Sequence, residues 1–392
     1  MRENKFISII VPFKDKLRLL KKCIHSIFTK TEFKNFELVL VNNNSDSKSL
    51  YSFLKQLSLN RQNVKVINYE KPFNFSAINN YAIPYCKGDT LLFLNNDTEV
   101  ISKGWLKSLL DVSKKHQSGV VGARLLYEDY TIQHDGIVFN NNGRPLHIAK
   151  HNIENSEVCY SSKTRKISAV TGACMLIQKK VFLEVGGFDE HSFPISYNDV
   201  DLSLKLLTKG YHNYICSSVK LFHYESKSRP RDNTEKAIKR LDKELQILKN
   251  RYSSFFSKKD PHLRGKGLKL LSYTAGLSQN LSKFISTVQN FCQNNNINSL
   301  ILYGAGLHTE RLLKELPKTI KKRVQLIIDD SPKKSQILKV PIKTPTEIVK
   351  RSFDMLLISS DTIEEKLFNK ALLLKLDCKT IFAPYSQRLI TQ

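Results

Sequence analysis

Short apolar runs that alternate with helical stretches, two of them ending in polar clusters, constrain this chain more than any other feature. Residues 6–12 (FISIIVP) form an apolar run closed by proline, after which Leu17, Leu20, Cys23, Ile24 and Ile27 recur at three- and four-residue spacing. Residues 36–41 (FELVLV) form a second run ending in Asn42-Asn43-Asn44-Ser45-Asp46-Ser47, residues 64–67 a third, and residues 90–94 a fourth. The fourth gives way to Asn95-Asn96-Asp97-Thr98-Glu99 with no glycine or proline to make a simple turn. Strands alternating with helices predict parallel βαβ units. In open α/β sheets ligands bind at the carboxyl ends of the strands, so 42–46 and 95–99 mark one candidate binding edge.

The middle of the chain is less regular. Residues 133–147 (QHDGIVFNNNGRPLH) predict a hairpin turning at Asn142-Gly143. AVTGACMLIQ reads as a strand entered through a glycine, and VFLEVGGFDE as a short helix closed by Gly186-Gly187. NDVDLSLKLLTKGY reads as a helix with acidic residues in its first turn, where they favour the dipole, and Gly210 at its end.

Residues 227–269 carry 14 Lys and Arg against 5 Asp and Glu. Leu241, Leu245, Leu248, Tyr252 and Phe255/Phe256 recur there at helical spacing. The stretch reads as a basic amphipathic helix lying on a membrane, on a partner helix or on its own domain. The last hundred residues start afresh with a strand at 298–303, the turn Gly304-Ala305-Gly306-Leu307-His308-Thr309, a helix at 310–316 and a second strand ending in Asp329-Asp330. Further strands are expected at 355–359 and 379–382. This predicts a small Rossmann-like unit in which the third glycine of the phosphate-binding turn is replaced by Thr309 and Asp329 stands at the ribose-contact position. The expected organisation is a domain at 1–230, a basic helical linker at 231–294 and a Rossmann-like α/β domain at 295–392.

The length of 392 residues suits two cores, and 41% hydrophobic with 25% charged residues is an ordinary globular balance. No apolar run approaches the ~18–20 residues that span a bilayer, and residues 1–5 lead straight into a strand without a signal-peptide pattern. Seven scattered cysteines without a CxxC pair read as reduced thiols in a cytoplasmic protein. The net charge of +26 favours an anionic partner: nucleic acid, an acidic membrane surface or a phosphorylated substrate. No zinc-finger, RRM-like or KH-like pattern supports nucleic acid, so none is expected.

Three acidic or imidazole signals carry the chemistry. Asp97 closes the fourth strand, Asp199 and Asp201 open the NDVDLSLKLL helix, and His223 follows a strand-like segment in LFHYES. Mg²⁺ suits oxygen ligands and Mn²⁺ also tolerates an imidazole. Such an ion at Asp97 would hold a nucleoside diphosphate, while an aspartate at a helix start can take a proton from an attacking hydroxyl.

These residues lead to a family. The blocks SIIVPFKDK, LVLVNNNSDS, PFNFSAINN, GDTLLFLNNDTEV, TIQHDGIV, AVTGACMLIQKKVFLEVGGFDE, YNDVDLSLKLLTKGY and LFHYESKSR occur in this order over about residues 7–229. In them the chain resembles the inverting family 2 glycosyltransferases of the GT-A fold, in particular rhamnosyltransferase-like enzymes of bacterial surface polysaccharide synthesis. The resemblance implies an α/β fold: a GT-A nucleotide-sugar-binding domain with a mixed, mainly parallel sheet, followed here by the Rossmann-like domain. It implies Mn²⁺ or Mg²⁺ as cofactor, a nucleoside-diphosphate sugar as donor and a glycan or lipid-linked glycan as acceptor. The basic linker suits docking of such a cytoplasmic enzyme at the inner face of the cell membrane, on an anionic surface beside a lipid-linked acceptor.

Residue by residue, the resemblance places Pro12, Phe13, Asn42, Asn44, Asn80, Asn95, Asn96 and Arg229 on the donor, with Asn79 and Ser226 beside them. Asn42 stands where the family usually has an aspartate. Asn95-Asn96-Asp97 stands for the DxD motif, so Asp97 carries the metal together with His223. Asp199 is the implied catalytic base, preceded by Asn198 in place of the usual acid. Gly172, Ala173 and Asp201 fall on the acceptor side. The replaced acids motivate a competing reading, a catalytically inactive binding or scaffold module of the same fold. Gly304 and Gly306 motivate another, a nucleotide-dependent oxidoreductase.

Overall fold

A computed structural model describes residues 5–140, 143–150, 164–224, 235–262, 277–332, 334–349, 351–360, 364–374, 376–384 and 388–391. The chain divides into two compact units, residues 1–267 and 268–392. In order, the first contains β1 (Ile7–Phe13), α1 (Leu17–Lys30), β2 (Phe36–Asn42), α2 (Lys48–Asn60), β3 (Val64–Asn68), α3 (Phe75–Ala82), β4 (Thr90–Leu94), β5 (Thr98–Val100) and α4 (Trp105–Ser113). It continues with β6 (Ser118–Leu126), β7 (Ile132–His134), β8 (Ile137–Phe139), β9 (Pro145–His147), β10 (Thr164–Ile167), β11 (Cys174–Gln178), α5 (Lys179–Glu184), α6 (Asn198–Thr208), β12 (His212–His223), α7 (Glu235–Arg251) and α8 (Ser253–Phe256).

The main sheet runs β10-β12-β6-β11-β4-β1-β2-β3, with β5 added to β12 and β7 to β6. β3-β2-β1-β4 are parallel, β11 is inserted antiparallel, and β6 and β12 are parallel again, so the sheet is mixed and mainly parallel. β2 is buried along its whole length, as expected for a strand covered on both faces. α1 lays Leu20, Cys23, Ile24 and Ile27 on the sheet, which is why its apolar residues recur at three and four. Each such leucine or isoleucine contributes roughly 1.5–3 kcal/mol by its burial. Ser47 accepts the Leu50 N–H to start α2, and Asn74 accepts the Ala77 N–H to start α3.

Proline does not end the first strand. β1 continues through Pro12, which pairs in register with Val41, to Phe13, whose carbonyl accepts the Asn43 N–H at 2.9 Å. Gly88 is required by close approach, since a Cβ there would stand 2.6 Å from the Ser8 nitrogen and 2.7 Å from the Phe6 carbonyl oxygen. The predicted hairpin forms as β8 against β9, although Asn142 of its turn lies outside the described residues. Six cysteines are free and buried, and Cys159 lies outside the described residues.

The basic stretch 235–251 is helical, and its apolar side faces the first unit itself. Leu245, Leu248 and Tyr252 join Ile137, Phe139, Phe193, Val200 and Leu204 in one buried cluster. Arg251 clamps this end of α7: its guanidinium lies 2.8 Å from Asp201 Oδ1 and 2.8 Å from Asp189 Oδ2. Among the described residues no helix is long and apolar enough to cross a membrane.

The second unit holds α9 (Leu277–Asn294), β13 (Leu300–Tyr303), α10 (Leu307–Glu315), α11 (Lys318–Lys321), β14 (Val324–Ile328), β15 (Gln336–Ile337), β16 (Val340–Lys343), β17 (Phe353–Ile358), α12 (Glu364–Leu373), β18 (Cys378–Ala383) and β19 (Arg388–Thr391). Its sheet runs β15-β16-β14-β13-β17-β18-β19, with β16-β14-β13-β17-β18 parallel. That is the strand order of a Rossmann-like domain. α9 packs here through Leu281, Phe284, Val288 and Cys292, so the expected linker is divided between the two units. Gly304 has φ +112° and a Cβ on it would lie 2.8 Å from the Ser359 carbonyl oxygen, which reserves the position for glycine. Asp329 engages the turn itself: its Oδ2 accepts the Ala305 N–H at 2.9 Å and its Oδ1 the Ser331 N–H at 2.9 Å.

Candidate active site

The carboxyl edge of β1 and β4 opens into a cavity of about 620 Å³. Pro12, Phe13, Asn43, Asn95, Asn96, Asp97, Thr171, Gly172, Ala173, Asn198, Asp199 and His223 all line it, with Phe73 and Phe75. Residues from the ends of β1, β2, β4 and β12 and from the start of α6 therefore meet at one place.

The turn after β4 is built by its own hydrogen bonds, which is why it needs neither glycine nor proline. The Asn95 carbonyl accepts the Thr98 N–H at 3.3 Å and the Thr98 hydroxyl at 2.8 Å. The Asn95 N–H donates to the Ala173 carbonyl at 3.1 Å. β5 then pairs antiparallel with the end of β12, in the register Val100 to Leu221 and Thr98 to His223. The Tyr224 N–H extends this pairing onto the Asp97 carbonyl at 2.9 Å. This register, invisible to local pattern, brings His223 Nε2 to 3.3 Å from Asp97 Oδ1. His223 is the last residue of a twelve-residue strand, not a residue beyond one.

Gln133 decides which face of the His223 ring is which. Its side-chain N–H donates to the His223 carbonyl at 3.3 Å, so its Oε1, 2.6 Å from His223 Nδ1, must accept the Nδ1 proton. In the neutral ring Nε2 is then a lone pair facing the Asp97 carboxylate. The Asn95 amide nitrogen lies 3.5 Å from the same Nε2, so the end of β4 and the end of β12 meet at this ring. This donor set, one carboxylate and one imidazole with its other nitrogen fixed by an outer partner, fits a divalent cation such as Mn²⁺. Among the described residues no group of three or more His, Cys, Asp or Glu side chains is placed to share one ion.

Asp199 stands in the first turn of α6, half-buried at the cavity. Tyr197, with φ +55°, turns the chain into the helix, and the Asn198 amide donates to the Ile195 carbonyl at 3.1 Å. The Asp199 Oδ2 accepts the Gly172 N–H at 2.8 Å and its Oδ1 the Val200 N–H at 2.8 Å. Burial pushes its pKa up; the hydrogen bonds from Gly172, Val200 and the Thr171 hydroxyl oppose the rise without cancelling it. An accessible carboxylate with a raised pKa is a suitable proton acceptor.

The structure separates other expected site residues from the cavity. Asn42 donates to the Asn68 side chain at 3.1 Å and accepts the Ser45 N–H at 3.2 Å, tying β2 to β3 and to its own loop; Asn43, one residue on, lines the cavity instead. Asn44 donates to the Glu70 and Lys71 carbonyls on the far side of that loop. Asn80 donates to the Phe188 carbonyl and the Glu190 carboxylate, and buried Asn79 donates to the Phe75 carbonyl; neither lines the cavity. Asp201 is fully buried and does not line the cavity: Lys205 at 3.2 Å, Arg251 and the Tyr252 hydroxyl at 2.7 Å surround it. Ser226 and Arg229 lie outside the described residues. Sequence reasoning gave no role to Asn43, Lys14, Phe73, Phe75, Thr171 or Gln133, though each stands in or next to a block that carried the resemblance.

Residues 8–186, a little under half of the chain, match the family model Glycosyl transferase family 2. The match stops short of Asp199 and His223. The chain is 36% identical over 235 residues to O-antigen biosynthesis protein RfbC of Myxococcus xanthus, covering 59% of this chain and 18% of that protein. It is 34% identical over 68 residues to the N-acetylglucosaminyl-diphospho-decaprenol L-rhamnosyltransferase of Mycobacterium tuberculosis, covering 17% of this chain and 22% of that one. The chain thus spans about a fifth of the length of each. Among solved structures, GalNAc-T7 with UDP, GalNAc and Mn²⁺ superposes with a TM-score of 0.53 at 15% identity over 76% of this chain and 55% of that chain, a likeness of GT-A fold.

Proposed function

We propose that this chain, a glycosyltransferase carrying a family 2 domain, moves a sugar from a nucleoside-diphosphate sugar to a hydroxyl of a glycan or lipid-linked glycan acceptor, with inversion at the anomeric carbon. The observation that carries the reading is that Asp97, His223 and Asp199 face one cavity, the first two 3.3 Å apart. Asp97 and His223 would hold Mn²⁺ or Mg²⁺, whose charge stabilises the departing diphosphate. Asp199 takes the proton from the acceptor hydroxyl as that oxygen bonds to the anomeric carbon. The bond from that carbon to the donor phosphate oxygen breaks in the same displacement, and its electron pair leaves on the diphosphate. The Gly172 and Val200 N–H groups aim the Asp199 carboxylate, and Pro12, Phe13 and Asn43 wall the end where the nucleoside lies. Gly172 and Ala173, with no bulk beyond a methyl, leave room for the acceptor.

Likeness to the RfbC protein supports a place in surface polysaccharide synthesis. The net charge of +26 supports work at the inner face of the membrane, beside an anionic surface; binding to anionic vesicles that fades with salt is the expected result, and no binding at low salt excludes it. The deciding experiment incubates the protein with Mn²⁺ or Mg²⁺ and UDP-, dTDP- and GDP-sugars, comparing nucleoside diphosphate release with Asp97→Ala and Asp199→Ala. Release lost in both variants supports the transferase. A protein that binds no sugar nucleotide, even with metal, is the inactive scaffold that Asn95 and Asn198 suggest.

A further inference from the structure

β7 is three residues long, and its pairing with β6 slips between Leu125, opposite His134, and Leu126, opposite Ile132, so that Gln133 is the extra residue of the register. A bulge of this kind re-aims side chains. Here neighbouring side chains serve two different parts of the site: Gln133 fixes His223, and His134 turns to the strand entry that holds Asp199. His134 is 1% exposed, and its Nε2 accepts the Gly136 N–H at 3.3 Å and the Thr171 N–H at 3.4 Å. With Nε2 accepting, its proton sits on Nδ1, which donates to His147 Nδ1 at 2.9 Å. Burial, with His147 and Arg165 nearby, holds its pKa well below the ordinary imidazole value, so the ring stays neutral and keeps this tautomer.

The Thr171 N–H it accepts begins a three-residue segment that serves the site. Thr171 donates to His134, the Gly172 N–H donates to Asp199 Oδ2 at 2.8 Å, and the Ala173 carbonyl accepts the Asn95 N–H. We propose that His134 is a positioning residue for the proton-accepting carboxylate, fixing residues 171–173 so that Gly172 grips Asp199 while Ala173 stays docked on the turn that presents Asp97. The inference rests on the transferase reading above. A buried histidine with a purely structural role predicts lost stability and nothing else. A positioning role predicts a change in the ionisation of Asp199, because a loosened Gly172 N–H no longer favours its charged form.

The test uses the full chain with His134→Phe, which keeps the ring and removes both nitrogens, and His134→Gln, which restores an amide acceptor. For a folded His134→Phe protein, kcat should fall about tenfold to a hundredfold with the donor KM within about twofold. The acidic limb of the pH–rate profile should move to higher pH, and His134→Gln should recover part of both effects. Independently of turnover, amide hydrogen exchange across residues 168–176 should speed up in His134→Phe and return towards the wild-type rate in His134→Gln. Unchanged exchange there in a folded variant, or an unmoved acidic limb, overturns the proposal. A wild-type protein that transfers nothing defeats the transferase reading instead, and the exchange measurement then still decides whether His134 holds the segment.

Discussion

Gln133 Oε1 lies 2.6 Å from His223 Nδ1, and this bond determines that Nε2 is the nitrogen turned to Asp97. Outer partners of this kind typically alter metal affinity tenfold to a hundredfold. Gln133→Leu removes the acceptor while keeping much of the side-chain volume. Mn²⁺ titrated into the protein with UDP present should bind about tenfold more weakly or worse in the variant. Equal affinity would show that the ring orientation is fixed by other contacts.

The proposed role of Asp199 as the proton acceptor predicts a pH dependence with a definite sign. Its carboxyl is held above the usual carboxylate range by burial. Only the charged form accepts a proton, so kcat/KM should fall as the pH drops through that raised pKa, earlier than for a solvent-exposed aspartate. Asp199→Asn should abolish turnover and leave donor binding in place. A profile flat through the weakly acidic range argues for another base.

Arg251 reaches Asp201 from α7, and Tyr252 donates to the same oxygen. Asp201 is fully buried, so removing one of its partners leaves charge poorly compensated. Arg251→Ala should lower stability by roughly 2 kcal/mol in denaturant unfolding. Combined with Asp201→Asn, the losses should be clearly less than additive. Simple additivity would mean that the pair is not coupled in solution.

Gly304 sits in the second unit with φ +112° and the Ser359 carbonyl against it. Gly304→Ala should destabilise that unit by roughly 2 kcal/mol, from the left-handed backbone and the close approach together. Calorimetry should show the transition of this unit moving down while that of the other stays in place. A common shift of both would establish that the units unfold together.

What could be read from the sequence, and what could not, divides along a physical line. The ends of β2 and β4, the first turn of α6 and the Gly304 turn are local, set by apolar periodicity and the polar residues that interrupt it. Asp97 and Asp199 were legible for that reason. Asn44, Asn80 and Asp201 carry the same kind of local signal, yet their side chains point to the 69–71 backbone, to α5's flank and to α7, directions that only the packed structure defines. The contacts of Gln133 and His134 arise from the slipped register of β7, and no pattern in TIQHDGIV announces that slip. Asn43, one position beyond Asn42, is the residue that reaches the cavity, the smallest offset that strand alternation allows.

One feature of the β4 turn reaches beyond geometry. With Asn95 and Asn96 in place of further acids, the chain itself would offer a divalent cation two side-chain ligands, Asp97 and His223, of the roughly six it takes. An ion that needs the donor diphosphate to complete its ligand set would raise the nucleotide's affinity, and the nucleotide would raise the ion's by the same factor. On the proposed function the donor KM should therefore fall as the free ion concentration rises, and a donor KM independent of the ion overturns that coupling.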